Sequence, residues 1–268
     1  MMVKKVSESR TMALIMGLVL LMSGCVTTTD SRFSREADRQ KALENYVQLA
    51  TAYIGQGNLD RARTHLERAL EIESRYAPAL AAQGLIYSAE SEEDLAEKSF
   101  RSALSANSSY TRGRVYYGAF LFSKGRFEEA RTQFEVASKD TAYKDRGGVF
   151  YSLGLTNERL GDVSGAEAAY RRAVELTRGE ARTLLSLSRI LVEQGDYTDA
   201  SRYYSRLQTL ISRNTRLTHS PESLYTGIRI ARHFSDRDQE ASLALMLRNE
   251  YPDSVEYQQY KVLIDNER

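Results

Sequence analysis

The feature that most constrains this chain is a repeat with a period of 34 residues. Small and aromatic residues recur at this interval through three successive units. The recurring sets are Ala50, Gly84 and Gly118; Tyr53, Tyr87 and Leu121; Ala62, Ala96 and Ala130; Leu66, Phe100 and Phe134; and Ala69, Ala103 and Ala137. A short insertion between Tyr143 and Arg146 shifts the frame, and the pattern then continues through two further units. A period of this length indicates a stack of similar units, each of which buries its apolar face against its neighbours.

Within one unit the apolar residues follow a helical period twice. Tyr46, Leu49 and Tyr53 share one helical face, Gly57 and Asn58 interrupt the pattern, and a second apolar face begins at Ala62. Small residues allow two helices to cross closely, and an aromatic ring fills the space beside them. This order of small and aromatic residues resembles the tetratricopeptide repeat (TPR), a helix–turn–helix unit of the same length.

The predicted fold is an all-α TPR solenoid of about six repeats with a C-terminal capping helix. Residues 42–214 are assigned to repeats one to five, and residues 215–268 to a degenerate sixth repeat and the cap. In that last segment, helices are predicted over residues 223–234, 238–249 and 254–265. A capping helix is expected because the last repeat of a solenoid otherwise exposes a core face.

The N-terminal residues read as an export signal. Lys4, Lys5 and Arg10 precede an apolar run over residues 12–22, which is too short to span a bilayer, and small residues then lead to Cys25. The segment LMSGC resembles a bacterial lipobox, although Met22 stands where leucine is usual. The resemblance implies a lipoprotein signal peptide over residues 1–24 and acyl chains on Cys25. An ordinary secretory signal with an unrelated cysteine, or an uncleaved anchor, is the alternative.

The residues after Cys25 bear on localisation. By resemblance to lipoprotein sorting signals, Val26 in place of aspartate points to the outer membrane, with the protein facing the periplasm. Residues 25–41 are polar and show no apolar period, so they are predicted to form a flexible tether.

Several function classes find no support in the sequence. A formal net charge of +1 argues against a nucleic-acid-binding surface. His65, His219 and His233 are not at metal-ligand spacing to one another or to Cys25, so no metal site is predicted. Phosphate-binding loops and common hydrolase motifs are absent from the sequence. We therefore predict a protein that is not an enzyme, without a cofactor or a small-molecule substrate.

A partner-binding groove is predicted on the first helices of repeats one to three. TPR first helices line the concave side, and here each carries an apolar stripe beyond the one needed for packing. The stripe consists of Val47, Thr51, Ile54, Ala81, Leu85, Ser88, Val115, Ala119 and Phe122. The corresponding residues of repeats four and five are mixed or charged: Tyr151, Leu155, Glu158, Leu185, Arg189 and Val192. The alternative is that Leu85 and Phe122 pack against the second helices or the tether.

Four further segments carry a more specific resemblance. Residues 138–155 (SKDTAYKDRGGVFYSLGL), 223–238 (SLYTGIRIARHFSDRD) and 250–260 (EYPDSVEYQQY), together with LMSGCVT at the front, are similar to the PilF/PilW family of type IV pilus lipoproteins. The resemblance implies a pilotin, which binds secretin subunits and promotes their localisation and multimerisation at the outer membrane. A TPR scaffold of another envelope assembly machine is the alternative.

Overall fold

The computed structural model describes residues 32–265, and its regular structure over that part of the chain is helical throughout, as predicted. The helices are α1 Arg32–Gly55, α2 Leu59–Ile72, α3 Ala77–Ala89, α4 Glu93–Ala106, α5 Thr111–Ser123, α6 Phe127–Ser138, α7 Arg146–Arg159, α8 Val163–Thr177, α9 Ala181–Gln194, α10 Tyr197–Arg213, α11 Pro221–His233, α12 Arg237–Glu250 and α13 Val255–Asp265. None of these helices is long and apolar enough to cross a membrane. The predicted signal peptide and Cys25 lie outside the described residues.

The described chain divides into a short N-terminal unit that ends at Asn45 and a main unit that begins at Tyr46. In the N-terminal unit α1 already begins at Arg32, so residues 32–41 of the predicted tether are helical; its residues 25–31 lie outside the described residues. Good helix formers dominate this stretch, and side-chain pairs one turn apart add support. The guanidinium of Arg39 lies 3.1 Å from the Glu36 carboxylate, and the Gln40 amide donates to Glu44 over 2.8 Å.

Six helix pairs, from α1 with α2 to α11 with α12, form the repeats, and α13 follows the sixth. Each pair from α3 with α4 onward is in extensive contact, and first helices also meet across repeats, as α3 meets α5 and α9 meets α11. The three C-terminal helices lie within a few residues of their predicted bounds. The helix expected to start at Ser223 begins earlier because the Ser220 hydroxyl accepts from the Ser223 amide over 3.1 Å and Pro221 suits the first turn.

The turn inside every helix pair uses one residue with a left-handed backbone. Glycine takes this position in four turns, and serine takes it at Ser91 (φ 63°) and Ser235 (φ 58°). The glycines are Gly57, Gly125, Gly161 and Gly195. Glycine has no Cβ to clash in this conformation, so the two serines carry a conformational cost that the glycines do not.

The two helices of a pair cross where a small residue faces a large one sixteen positions later. A Cβ built on Gly84 would lie 2.7 Å from the ring of Phe100, and one on Gly118 would lie 2.8 Å from the ring of Phe134. Gly154 faces the ring of Tyr170 in the same way. The small residues that set the period in the sequence are therefore the places where the ring of the second helix lies directly against the first.

The C-terminal helix covers the apolar end of the sixth repeat. Leu224 and Ile228 of α11 form a buried cluster with residues of α12, and Tyr257 and Tyr260 of α13 pack against that cluster. The predicted capping role of the terminal helix is thereby confirmed.

Candidate partner-binding groove

The nine predicted groove residues lie on the first helices of repeats one to three, and their exposure differs. Ala119 is exposed, and seven of the others are half-buried. Ala81 is 0% exposed, so its assignment to the groove is wrong: neighbouring residues cover its methyl group completely. The half-buried residues are Val47, Thr51, Ile54, Leu85, Ser88, Val115 and Phe122. We call these seven together with Ala119 the first-helix stripe.

Part of the first-helix stripe also serves packing, as the alternative proposed. Leu85, Val115 and Phe122 are partly buried against the apolar core of repeats two to four. The ring of Phe122 meets that of Phe127, the first residue of α6, edge to face with centroids 5.2 Å apart. These side chains therefore have one surface committed to the core, and what they offer a partner is the remaining surface.

A small apolar cleft lies at the third repeat. It has a volume of about 100 Å³ and combines the stripe residues Ala119 and Phe122 with Phe134, Ser152 and Leu155. Leu155 belongs to the fourth repeat, whose stripe was predicted to be mixed, so the apolar surface continues one helix further than expected. The hydroxyl of Ser152 donates to the carbonyl of Gly148 over 3.0 Å, which leaves no unsatisfied donor in this cleft.

The apolar surface ends at an ion-pair cluster centred on Arg189 of α9. Its guanidinium lies 2.5 Å from the Glu158 carboxylate of α7, 2.9 Å from that of Glu193 and 2.8 Å from that of Glu222 at the start of α11. Burial lowers the pKa of Arg189, but the hydrogen bonds to Glu158 and Glu193 outweigh it and the net shift is upward. The guanidinium therefore stays charged, and its ion pairs make this end of the surface polar, as the charged stripe of repeats four and five predicted.

A second ion-pair cluster, centred on Glu97, ties three helices together on the second-helix side. The Glu97 carboxylate of α4 accepts from Arg126 over 2.6 Å, from Arg101 over 2.7 Å and from the Tyr117 hydroxyl over 2.8 Å. The hydrogen bond from Arg126 is the largest cause that lowers the pKa of Glu97, which falls to about 2. These contacts join α4 to α5 and to Arg126 at the N-cap of α6, and nothing in the sequence motifs pointed to them.

The described residues hold no group of three histidine, cysteine, aspartate or glutamate side chains that could bind a metal ion. The histidines instead meet aromatic rings. His65 stacks on Tyr53 with centroids 5.5 Å apart, and His233 stacks on Tyr197 at 4.0 Å.

Comparison with known proteins agrees with this geometry. The tetratricopeptide repeat model matches residues 43–76, 81–144, 121–181 and 151–213. The type IV pilus assembly protein PilF of Pseudomonas aeruginosa is 34% identical over 250 residues, which cover 93% of this chain and 97% of that protein. The chain belongs to the PilF/PilW family. It is thus a TPR protein of type IV pilus biogenesis.

Other members and neighbours extend the comparison. The solved structure of Pseudomonas aeruginosa PilF superimposes with a TM-score of 0.76 at 33% identity, covering 84% of this PilF/PilW family member and 99% of that chain. PilW, described as a widely conserved type IV pilus biogenesis factor, gives 0.66 at 23% identity over 81% of this chain and 97% of its own. YrrB, a TPR protein with an unusual peptide-binding site, shares the fold at 0.60 and 19% identity over 73% of this chain and 97% of its own.

Proposed function

We propose that this protein is an outer-membrane lipoprotein that binds type IV pilus secretin subunits and promotes their localisation and multimerisation, without catalysing a reaction. The observation that carries the proposal is the apolar first-helix stripe on a member of the PilF/PilW family. A protein that escorts another needs a surface that binds an apolar segment of its partner. Binding must prevent that segment from associating with other copies of the partner.

The first-helix stripe supplies such a surface in the first three repeats. Ala119 and the outer part of Phe122 border the cleft at repeat three, and Leu155 prolongs it into repeat four. Burying apolar surface here contributes about 25 cal/mol per Å², so even a short apolar segment gains several kcal/mol before its ordering cost. A secretin segment held in this way is shielded from other secretin subunits during transit.

In this proposal, acyl chains on Cys25 hold the protein at the membrane. If Cys25 carries them, each buried methylene adds about 0.8 kcal/mol of membrane affinity, and two or three chains anchor the protein firmly. The proposed location is the outer membrane, with the repeats in the periplasm. Mass spectrometry of the membrane-extracted protein tests this part directly: an unmodified or uncleaved Cys25 would refute it.

The binding proposal is tested by replacing exposed Ala119 with glutamate and following secretin multimers on unheated gels of membrane fractions. We expect Ala119→Glu to deplete outer-membrane multimers, since a carboxylate in the cleft is desolvated by any apolar segment. Ala168→Glu is the matched control, because Ala168 is exposed on α8, a second helix. Deleting the gene sets the scale of the loss.

Two outcomes would count against the proposal. Normal outer-membrane multimers after gene deletion would reject the pilotin role and favour a scaffold of another assembly machine. Normal multimers in Ala119→Glu, with loss in the deletion, would keep the role and move the binding surface elsewhere.

A further inference from the structure

The outer face of α10 carries a continuous row of arginines that the secretin-binding proposal does not use. Arg202, Arg206 and Arg213 follow one another at helical spacing, with Thr209 between the last two, and all four side chains are exposed. The opposite face of the helix is buried. It consists of Ala200, Tyr204 and Leu207.

The row has an excess of positive charge. Asp199 is the one acidic residue in α10, and its carboxylate is occupied by Arg171 at 2.8 Å and by Arg202 at 2.9 Å. Arg206 instead donates to the carbonyl oxygen of Arg178 over 3.1 Å. Within residues 32–265, neither Arg206 nor Arg213 forms an ion pair with a carboxylate.

A single ring holds part of this row in place. The guanidinium groups of Arg171, Arg202 and Arg206 lie 5.6, 5.2 and 5.8 Å from the centroid of Tyr203. Cations over the face of an aromatic ring are stabilised by its quadrupole, so the ring partly offsets the repulsion between neighbouring arginines. Arg171 and Arg202 are paired with carboxylates, so the ring holds the guanidinium of Arg206, which has no carboxylate partner among the described residues, beside two paired ones.

Short hydroxyl side chains form the floor between the arginines. The Ser205 hydroxyl donates to the carbonyl of Ser201 over 2.8 Å, and the Thr209 hydroxyl donates to that of Ser205 over 2.8 Å. Because these groups are turned back onto the helix backbone, the guanidinium groups are the outermost polar atoms. From Arg202 to Arg213 the row extends about 16 Å at 1.5 Å per residue.

We infer that this arginine row docks on the anionic phospholipid headgroups of the membrane that anchors the protein. Guanidinium groups pair with phosphate oxygens through two parallel hydrogen bonds. Each basic residue near an anionic bilayer adds about 1 kcal/mol of binding free energy. The choice of a membrane over an acidic protein rests on the proposed lipid anchor. The anchor would bring the repeats within reach of headgroups and leave α10 to set which face turns toward them.

The test uses the full chain with Cys25→Ser, so that an introduced cysteine is the sole thiol. An environment-sensitive fluorophore on Ser205→Cys reports the surroundings of α10, and one on Thr132→Cys reports α6. Vesicles of phosphatidylcholine, with and without phosphatidylglycerol, are titrated into each. We expect a blue shift at position 205 only with phosphatidylglycerol, little change at position 132, and reversal by salt.

Charge reversal then distinguishes lipid binding by the arginine row from lipid binding by the basic N-terminal segment. Arg206→Glu/Arg213→Glu is expected to weaken the apparent lipid affinity seen at position 205 about tenfold or more. Arg213→Glu alone repeats the test at an exposed position of the row without an ion pair in the described part of the chain, should the first variant fold poorly. An unchanged response in the second variant, or equal shifts at positions 132 and 205, would overturn the inference.

Two remaining results are also decisive. A shift with polyglutamate but none with vesicles would overturn the lipid assignment and indicate an acidic protein partner. Failure of this test leaves the secretin proposal standing, because that proposal is read out from multimers and Ala119→Glu. Failure of the lipid anchor is read separately from the mass of the mature N-terminus.

Discussion

Gly84 faces the ring of Phe100 so closely that a Cβ on Gly84 would lie 2.7 Å from the ring. Phe100 is 0% exposed, so its ring is enclosed by other side chains. We expect Gly84→Ala to lower the free energy of unfolding by about 1–3 kcal/mol, because overpacking strains a buried contact. Thermal and urea denaturation followed by circular dichroism measure the change.

The first repeat supplies the control for that prediction. At the equivalent positions it has Ala50 and Leu66, which are both buried. Gly84→Ala/Phe100→Leu should therefore recover part of the stability that Gly84→Ala loses, since leucine leaves room for the methyl group. If the double variant loses as much free energy of unfolding as the two single variants lose together, the ring contact does not cause the loss.

Ser91 offers an opportunity to stabilise the protein. It has φ 63° in the turn between α3 and α4, where four other repeats have glycine. We expect Ser91→Gly to raise the free energy of unfolding by about 0.5–1 kcal/mol, as the left-handed conformation then carries no Cβ penalty. Gly125→Ala, at the equivalent turn, should have the opposite sign. A fall in stability for Ser91→Gly would contradict the backbone assignment.

Glu97 should make stability depend on acid pH. Its pKa lies at about 2 in the folded protein, below the usual 4.5, mainly because of Arg126. The unfolded state therefore binds the proton more readily. The stabilisation is complete above pH 4.5 and is lost as pH falls from 4.5 toward 2. We expect ionised Glu97 to contribute about 1–2 kcal/mol to the free energy of unfolding at neutral pH. This value is reduced for solvent screening, because Arg126 is partly solvated.

Glu97→Gln tests this assignment. The variant should be less stable at pH 7 and should lose less stability than the parent as pH falls below 4.5, in urea unfolding at several pH values. Glu71→Gln, at an exposed position on α2, is the control and should follow the parent closely. Parallel pH profiles for Glu97→Gln and the parent would show that another carboxylate dominates.

The Arg189 cluster predicts strong coupling between two repeats. Arg189 of α9 and Glu158 of α7 are both largely buried, with 22% of each side chain exposed. Arg189→Met should cost about 2–3 kcal/mol because it leaves three carboxylates without their cation. A double-mutant cycle with Glu158→Gln should give a coupling energy of about 1–3 kcal/mol. Additive effects would mean that solvent screens the pair.

The fold was largely predictable from sequence because small and large residues recur at the period of the repeat. Gly84, Gly118 and Gly154 recur where rings cross, and a gap in that pattern would have been visible. Helix starts were less predictable: Arg32 lies in a polar stretch without an apolar period, where local helix propensity decides the structure. The left-handed Ser91 was missed because serine does not mark such a turn as glycine does.

The groove was only partly predictable, for a different physical reason. Periodicity indicates which face of a helix a residue occupies, but it does not indicate how much of that residue the surrounding side chains cover. Ala81 therefore appeared in the stripe although it is buried, and Leu155 was set aside although it borders the cleft. The charge of Arg189 was visible in the sequence, whereas the convergence of Glu158 and Glu222 from two other helices on it required the structure.

The Glu158–Arg189 pair also gives the apolar surface a defined length. Adjacent helices pack about 8–10 Å apart, so a path from α3 across α5 to α7 extends about 20 Å before it meets the charges. An extended chain covers that distance with about six residues. Under the proposed function the surface would act as a molecular ruler: a short apolar stretch of a partner is covered completely, whereas a longer one projects past the ion pair and stays uncovered.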